Sequence, residues 1–361
     1  MRQRPKHRSA RRIAGMSMVE LLVAMTIGTF LMWGAITVYS RSRTTYQVSE
    51  QVSRLQENAR YAVSVIEPDI RLANYWGLTN DSTVVTGTAR PVDVASPLQG
   101  TTNICGNNFA VNLGEIIRGD NNGYALPCAA YTSADVTGGV AQTGTDSLTV
   151  RRVTVAPTAL ANNMLQMYTT RSGQFTQVFK NGVAPAALGP NAEIHDVIVD
   201  TFYIDRDSVG RPNIPALRRK FLISGPAFGD QEVISGVEDM QVQFGIDLGR
   251  DANNDGVVDD IDGNGPDSYT GVASQFVNPN AVPATALVVA VRFWLLVRSE
   301  TAEQGFTDNN SYVYADRLVA NGTTNNLNAA NSTRAYRPGD NFRRLLVMRT
   351  VQLRNTLGIA P

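Results

Sequence analysis

The sequence predicts an α+β protein: one long N-terminal helix, its first half membrane-embedded and its second half amphipathic, packed on a β-rich domain. Three observations predict it. An apolar run stands near the start, and a stripe of apolar residues at three- and four-residue steps follows it. Beyond residue 77, short β-branched and aromatic runs alternate with Gly, Asn, Asp and Thr.

The apolar run sits in "RRIAGMSMVELLVAMTIGTFLMWGAITVYSRSR" (11–43), where Leu21 to Tyr39 are nineteen residues without a formal charge. As a helix at 1.5 Å per residue they span roughly 28 Å, about one hydrocarbon core. An ordinary secretory signal fits poorly, because a cut after Ala35 would put Trp33 where a small residue is needed. Glu20 stands at the head of the run. An ionised acid well inside lipid costs about 3 kcal/mol, so this carboxylate needs a partner.

The 361 residues carry 32 basic and 32 acidic side chains. Six of the basic ones fall in the first fifteen residues with no acid among them, so the rest carries 26 basic against 32 acidic. The basic head suits the positive-inside rule. The mildly acidic body lacks the clustered Lys and Arg that phosphates demand, and no nucleic-acid partner is expected.

The stripe comprises Val48, Val52, Leu55, Ala59, Val63, Ile66 and Ile70, with Gln47, Glu50, Gln51, Arg54, Glu57 and Arg60 largely off it. Pro68 interrupts the pattern, which predicts a helix from about Met16 to Glu67 and a last short segment to Trp76. Strands are predicted at 146–155, 196–205, 216–224, 239–247, 286–298 and 343–353. Long polar loops, notably 248–284 and 305–341, lie between them. The expected organisation is a basic leader (1–15), a transmembrane helix (16–40), its amphipathic continuation (41–76) and a β-rich domain (77–361).

"GMSMVE" (15–20), followed by its apolar run, resembles the class III signal of type IV prepilins and pseudopilins. The resemblance implies that the leader is cut after Gly15 and the new terminus, Met16, is N-methylated by prepilin peptidase. It also implies that Glu20 pairs with the terminal ammonium of a neighbouring subunit. Two charges that are costly alone in lipid become tolerable together. Met in place of the more usual Phe at position 16 is a small departure. "LQENARYAVSVIEPDIRLANYWG" (55–77), "GVEDMQVQFGID" (236–247) and "RTVQLRN" (349–355) further resemble the PilW group of minor pilins. That group implies a pilin-like fold and a subunit that primes type IV pilus assembly, ending at or near the tip. The implied partners are other minor pilins, the major pilin, the inner-membrane assembly platform and membrane lipid. The implied location is the inner membrane with a periplasmic C-terminal domain, then the pilus.

In an exported domain Cys105 and Cys128 are expected to bridge, closing a loop worth about 3 kcal/mol; two free buried thiols are the alternative. "DANNDGVVDDID" (251–262) has the spacing of a calcium loop. Asp251, Asn253, Asp255, Val257 through its carbonyl, Asp259 and Asp262 are the candidate ligands, Gly256 supplies the turn, and Asp247 and Asp260 add charge. The flanks read as strand, so a paired EF-hand is not expected. A solvated Asp/Asn/Gly turn is the competing reading.

Catalysis is not expected. His7 leaves with the leader, His195 has no nucleophile motif near it, and no G-x-S-x-G, H-E-x-x-H, P-loop or C-x-x-C pattern occurs. "LRRK" (217–220) and "FRR" (342–344) read as charged strand edges, and the aromatics of "VRFWLLV" (291–297) as core. Two other readings stay open: a type II secretion pseudopilin, and a membrane-anchored, calcium-dependent adhesin or receptor.

Overall fold

The computed structural model describes residues 15–81, 85–86, 105, 109–132, 141–170, 176–182, 191–225, 227–251, 259, 269–324 and 334–356. Among these residues one α-helix, α1 (Met18–Arg71), precedes fourteen strands. The chain forms two compact units, 1–51 and 52–361. In the first, α1 is exposed throughout its apolar window. In the second, its face of Leu55, Ala59, Ala62, Val63, Ile66, Asp69 and Ile70 is buried. Each buried Leu, Val or Ile contributes about 1.5–3 kcal/mol, so packing rather than propensity holds this half of α1 in place.

α1 does not stop at Pro68. It continues to Arg71, and Leu72 N–H still reaches the Pro68 carbonyl at 3.1 Å. The missing proline N–H would have bonded the Ser64 carbonyl, and both Ser64 and Pro68 lie on the exposed face. Water can serve that carbonyl, so the break expected from sequence is avoided.

The first sheet has eight strands: β1 (Val85–Thr86), β2 (Ile117–Asp120), β3 (Ser147–Val153), β4 (Asn162–Thr170), β5 (Thr176–Asn181), β6 (Ala192–Asp205), β7 (Ala216–Ile223) and β8 (Ala227–Ser235). Its path is β1-β5-β4-β6-β3-β2, with β7 and then β8 branching from β6. The second sheet runs β10 (Gln275–Val277), β9 (Val237–Asp247), β11 (Leu287–Arg298), β14 (Arg344–Gln352); β12 (Leu318–Thr324) and β13 (Arg334–Tyr336) form a small ribbon. The sequence-predicted strands correspond to β3, β6, β7, β9, β11 and β14.

Both sheets present one face to α1. Leu148, Val150, Phe202, Ile204 and Leu217 from the first join Met240, Val242, Phe244, Phe293 and Leu295 from the second around Leu55–Ile70. The opposite faces are covered by excursions of the chain. Phe109, Val111, Leu113, Leu126 and the Cys105–Cys128 disulfide pack with Trp76 on Val153, Met167, Val197 and Val199. Arg151, fully buried, holds this cover by donating to the Phe109 carbonyl at 3.0 Å and to the Glu115 carbonyl. On the second sheet, Tyr336 packs on Leu296, and Arg317 and Tyr314 reach Asp239 at 2.6 and 2.5 Å. Two asparagines close the domain: Asn74 Nδ2 donates to the Asn355 carbonyl at 2.9 Å, and Asn355 Nδ2 to the Ala73 carbonyl at 3.1 Å.

Part of each basic cluster is buried rather than solvated. Arg218 and Lys220 are buried on β7, whose neighbour β8 sets Asp230 and Glu232 opposite them. Arg218 Nε and Lys220 Nζ bond Asp230 at 2.7 and 2.8 Å, and Tyr131 stacks on the Arg218 guanidinium at 3.6 Å. The Arg344 side chain is likewise out of solvent and bidentate to Glu238.

Candidate assembly site

Gly15, Met16 and Ser17 precede α1, and all three are exposed. The Ser17 hydroxyl accepts the Val19 N–H at 3.3 Å, while the Glu20 carboxylate accepts the Ser17 N–H at 3.4 Å. The exchange is a capping box, and it also sets a negative charge on the positive end of the helix dipole. The S-x-x-E spacing that encodes it is legible in "SMVE" (17–20), but sequence reasoning assigned Glu20 an intermolecular role alone and missed Ser17.

Behind the cap, Leu22, Met25, Phe30, Leu31 and Trp33 are more than half exposed. The window has mean hydropathy 2.0 and satisfies the length and composition of a membrane-crossing helix. Its hydroxyls bond inward: Thr26 to the Leu22 carbonyl at 2.9 Å and Thr37 to the Trp33 carbonyl at 2.8 Å. A lipid environment requires this internal satisfaction. Among the described residues, Glu20 is thus a formal charge at the head of an apolar surface, and its side chain accepts a hydrogen bond from its own cap.

The other expected residues lie elsewhere. Cys105 and Cys128 are joined as a disulfide. Asn253, Asp255, Val257 and Asp262 fall outside the described residues, as do residues 1–14 of the leader. Asp251 and Asp259 are described, and Asp259 N–H donates to the Arg250 carbonyl at 3.1 Å. No group of three acidic, His or Cys ligands occurs among the described residues. Asp247, expected to add charge to the loop, is instead spent at its base. It accepts from Gly249 N–H (2.9 Å), Thr270 Oγ1 (2.9 Å) and Gly271 N–H (2.6 Å). Burial alone would raise this carboxyl, but those donors hold it below its usual range. His195 is fully buried, with Nδ1 2.7 Å from the Thr154 carbonyl and Nε2 3.2 Å from Glu193, a structural position.

Comparison with known proteins agrees with this geometry. Residues 201–355 match the family described as Type IV Pilus-assembly protein W, and residues 10–36 match the prokaryotic N-terminal methylation motif. No curated protein matches the chain. Among solved structures, the type IV-like pilin TTHA1219 from Thermus thermophilus is 14% identical over 62% of this chain and 87% of that one, with a TM-score of 0.25, a likeness too loose to bear on the assignment.

A methylation motif at the head of a long apolar helix, followed by a β-rich domain, defines a protein of the prepilin class. Within that class the match over residues 201–355, together with the methylation motif, supports a type IV pilus minor pilin of the PilW group, a structural subunit of pilus assembly. Membership implies processing by prepilin peptidase and contact with other pilus components. The motif and apolar helix suit an inner-membrane anchor.

Proposed function

We propose that this minor pilin primes fibre assembly and stays at or near the tip, with its β-rich domain in the periplasm before extrusion. After cleavage behind Gly15, the methylated Met16 ammonium of one subunit meets the Glu20 carboxylate of the next. The carrying observation is Glu20 itself, a carboxylate set at the head of an exposed apolar helix where it accepts the Ser17 N–H. Pairing with a cation removes the cost of taking it into lipid and fixes the register of neighbouring helices. The partners are the other minor pilins, the major pilin, the peptidase, the inner-membrane platform and lipid.

The test compares Glu20→Ala with Ser17→Ala in cells. Losing the cap hydroxyl costs about 1 kcal/mol of helix stability and leaves the charge pair available. Glu20→Ala is expected to insert in the membrane but drop out of sheared fibres, whereas Ser17→Ala is retained. Equal recovery of both variants with fibres would sink the pairing. A mature protein that begins at residue 1 would favour the permanently anchored receptor. Deletion that stops enzyme secretion and spares pili would favour the pseudopilin.

We also propose that residues 251–262 bind calcium, supported by ligand spacing and by the hydrogen bond from Asp259 N–H to the Arg250 carbonyl. Calorimetric titration of the full chain in detergent should give calcium binding that is lost in Asp251→Asn/Asp255→Asn. No heat at millimolar calcium retires the site.

A further inference from the structure

The α1-facing side of the first sheet is apolar except at one end, where the last buried turn of the helix meets charge. Asp69 of α1 and Asp200 of β6 are 5% and 3% exposed and lie within hydrogen-bond reach of one another. Arg152 of β3 supplies Nε at 3.0 Å and Nη2 at 2.6 Å to Asp69 Oδ1. Arg219 of β7 is 3.9 Å from Asp200 Oδ2, too far for a hydrogen bond, and its guanidinium lies over Phe221 at 5.1 Å. β8 faces Arg219 with neutral Gln231. The remaining charges on this turn of α1, Glu67 and Arg71, pair with each other at the exposed side.

Two carboxyl groups in contact and out of water cannot both ionise cheaply; a proton between them turns repulsion into a charge-assisted hydrogen bond. Arg152 donates two hydrogen bonds to Asp69, whereas Arg219 stands beyond hydrogen-bond distance of Asp200. The proton therefore belongs to Asp200.

We propose that Asp69 and Asp200 share one proton, making the junction of α1 with the sheet a clasp that closes in mild acid and loosens at alkaline pH. Burial, and secondarily the neighbouring Asp69 charge, push the Asp200 carboxyl up to about 7 against the opposing pull of Arg219 and Arg152. The folded state thus holds a proton that the unfolded chain gives up near the ordinary Asp value. The stability this proton confers is complete below about pH 4 and is lost as pH rises through about 7. Loss of the proton leaves a second negative charge, which Arg219 could answer after leaving Phe221.

The test uses the full chain in detergent micelles. The unfolding equilibrium constant of the native protein is expected to rise on the order of tenfold or more between about pH 5 and pH 7 through this group. Asp200→Asn, which cannot ionise, should lack that increment; parallel pH profiles in the two proteins overturn the clasp. Infrared spectroscopy is the second readout. The native protein should show a carboxylic-acid band that titrates near neutrality and is absent in Asp200→Asn. In Asp69→Asn that band should titrate at lower pH, because the negative neighbour is gone. If no such band exists, or if it is unmoved in Asp69→Asn, no proton is shared.

Discussion

Arg317 Nε donates to Asp239 Oδ2 at 2.6 Å, and neither side chain touches solvent. The pair joins the excursion after β11 to the strand β9, 78 residues away in sequence. Arg317 also donates to the Gly144 carbonyl at 2.5 Å, and the Tyr314 hydroxyl shares Asp239 Oδ2.

Removing one member of a buried pair leaves an uncompensated charge, which typically costs 3–5 kcal/mol. Arg317→Ala is therefore expected to destabilise the domain by about that amount and to open residues 301–324 to proteolysis. Denaturant unfolding and limited digestion read the two effects. Unchanged protection of this segment would mean that the pair does not hold it.

Gly236 is required by geometry. Its φ is +85°, and an added Cβ would lie 2.8 Å from the Arg298 carbonyl oxygen, a backbone atom that cannot swing away. Gly236→Ala should cost about 2 kcal/mol or more, combining left-handed strain with displacement of β11. Chemical denaturation checks it, with Gly210→Ala as the control for strain alone, since that position also has positive φ but open space around it.

The helix and its stripe were legible from their three- and four-residue period, and six strands from runs rich in β-branched and aromatic residues bounded by Gly, Pro, Asn or Asp. β4, β5 and β8 were not. "AFGDQEVIS" in β8 carries Gly229 and three acidic or amide side chains, a composition that reads as loop until β7 places Arg218 and Lys220 beside it. The charged residues of "GVEDMQVQFGID" matched a family pattern, but their task could not be read locally. Glu238 and Asp239 meet Arg344 and Arg317, which are remote in sequence. Asp69 was hidden in the same way: it falls on the apolar stripe, and only the sheet supplies its partners.

Reduction is expected to cost about 3 kcal/mol, because the Cys105–Cys128 bridge closes a sequence separation of 23. Cys105→Ser/Cys128→Ser should show a lowered melting temperature that reductant does not lower further. A wild type insensitive to reductant would show that the cover is held by Arg151 and its apolar contacts alone.

Acid should stabilise this protein over a range where many proteins are indifferent. Burial raises Asp146 well above its usual value and Asp205 to about 6, the latter against hydrogen bonding from Asp207 N–H and the nearby Arg218. For each, the folded state binds protons that the unfolded chain releases, so stability declines as pH rises above about 4 and through the raised value. Asp340 and Glu300 shift the other way: burial is outweighed by Arg344 for Asp340 and by Ser235 and Arg211 for Glu300. Their contribution disappears only as pH falls below about 4. Melting temperatures should therefore peak near pH 5 rather than at neutrality, and a flat profile from about pH 5 to pH 8 would contradict the burial of these acids.

Leu55, Ala59, Ile66 and Ile70 have a practical consequence for anyone making a soluble derivative. Cutting at the end of α1 would discard part of the protein interior and strip both sheets of the layer between them and water. The start codon of a usable fragment belongs upstream of Val52, within the helix, where the lipid-soluble residues are gone and the core is still whole.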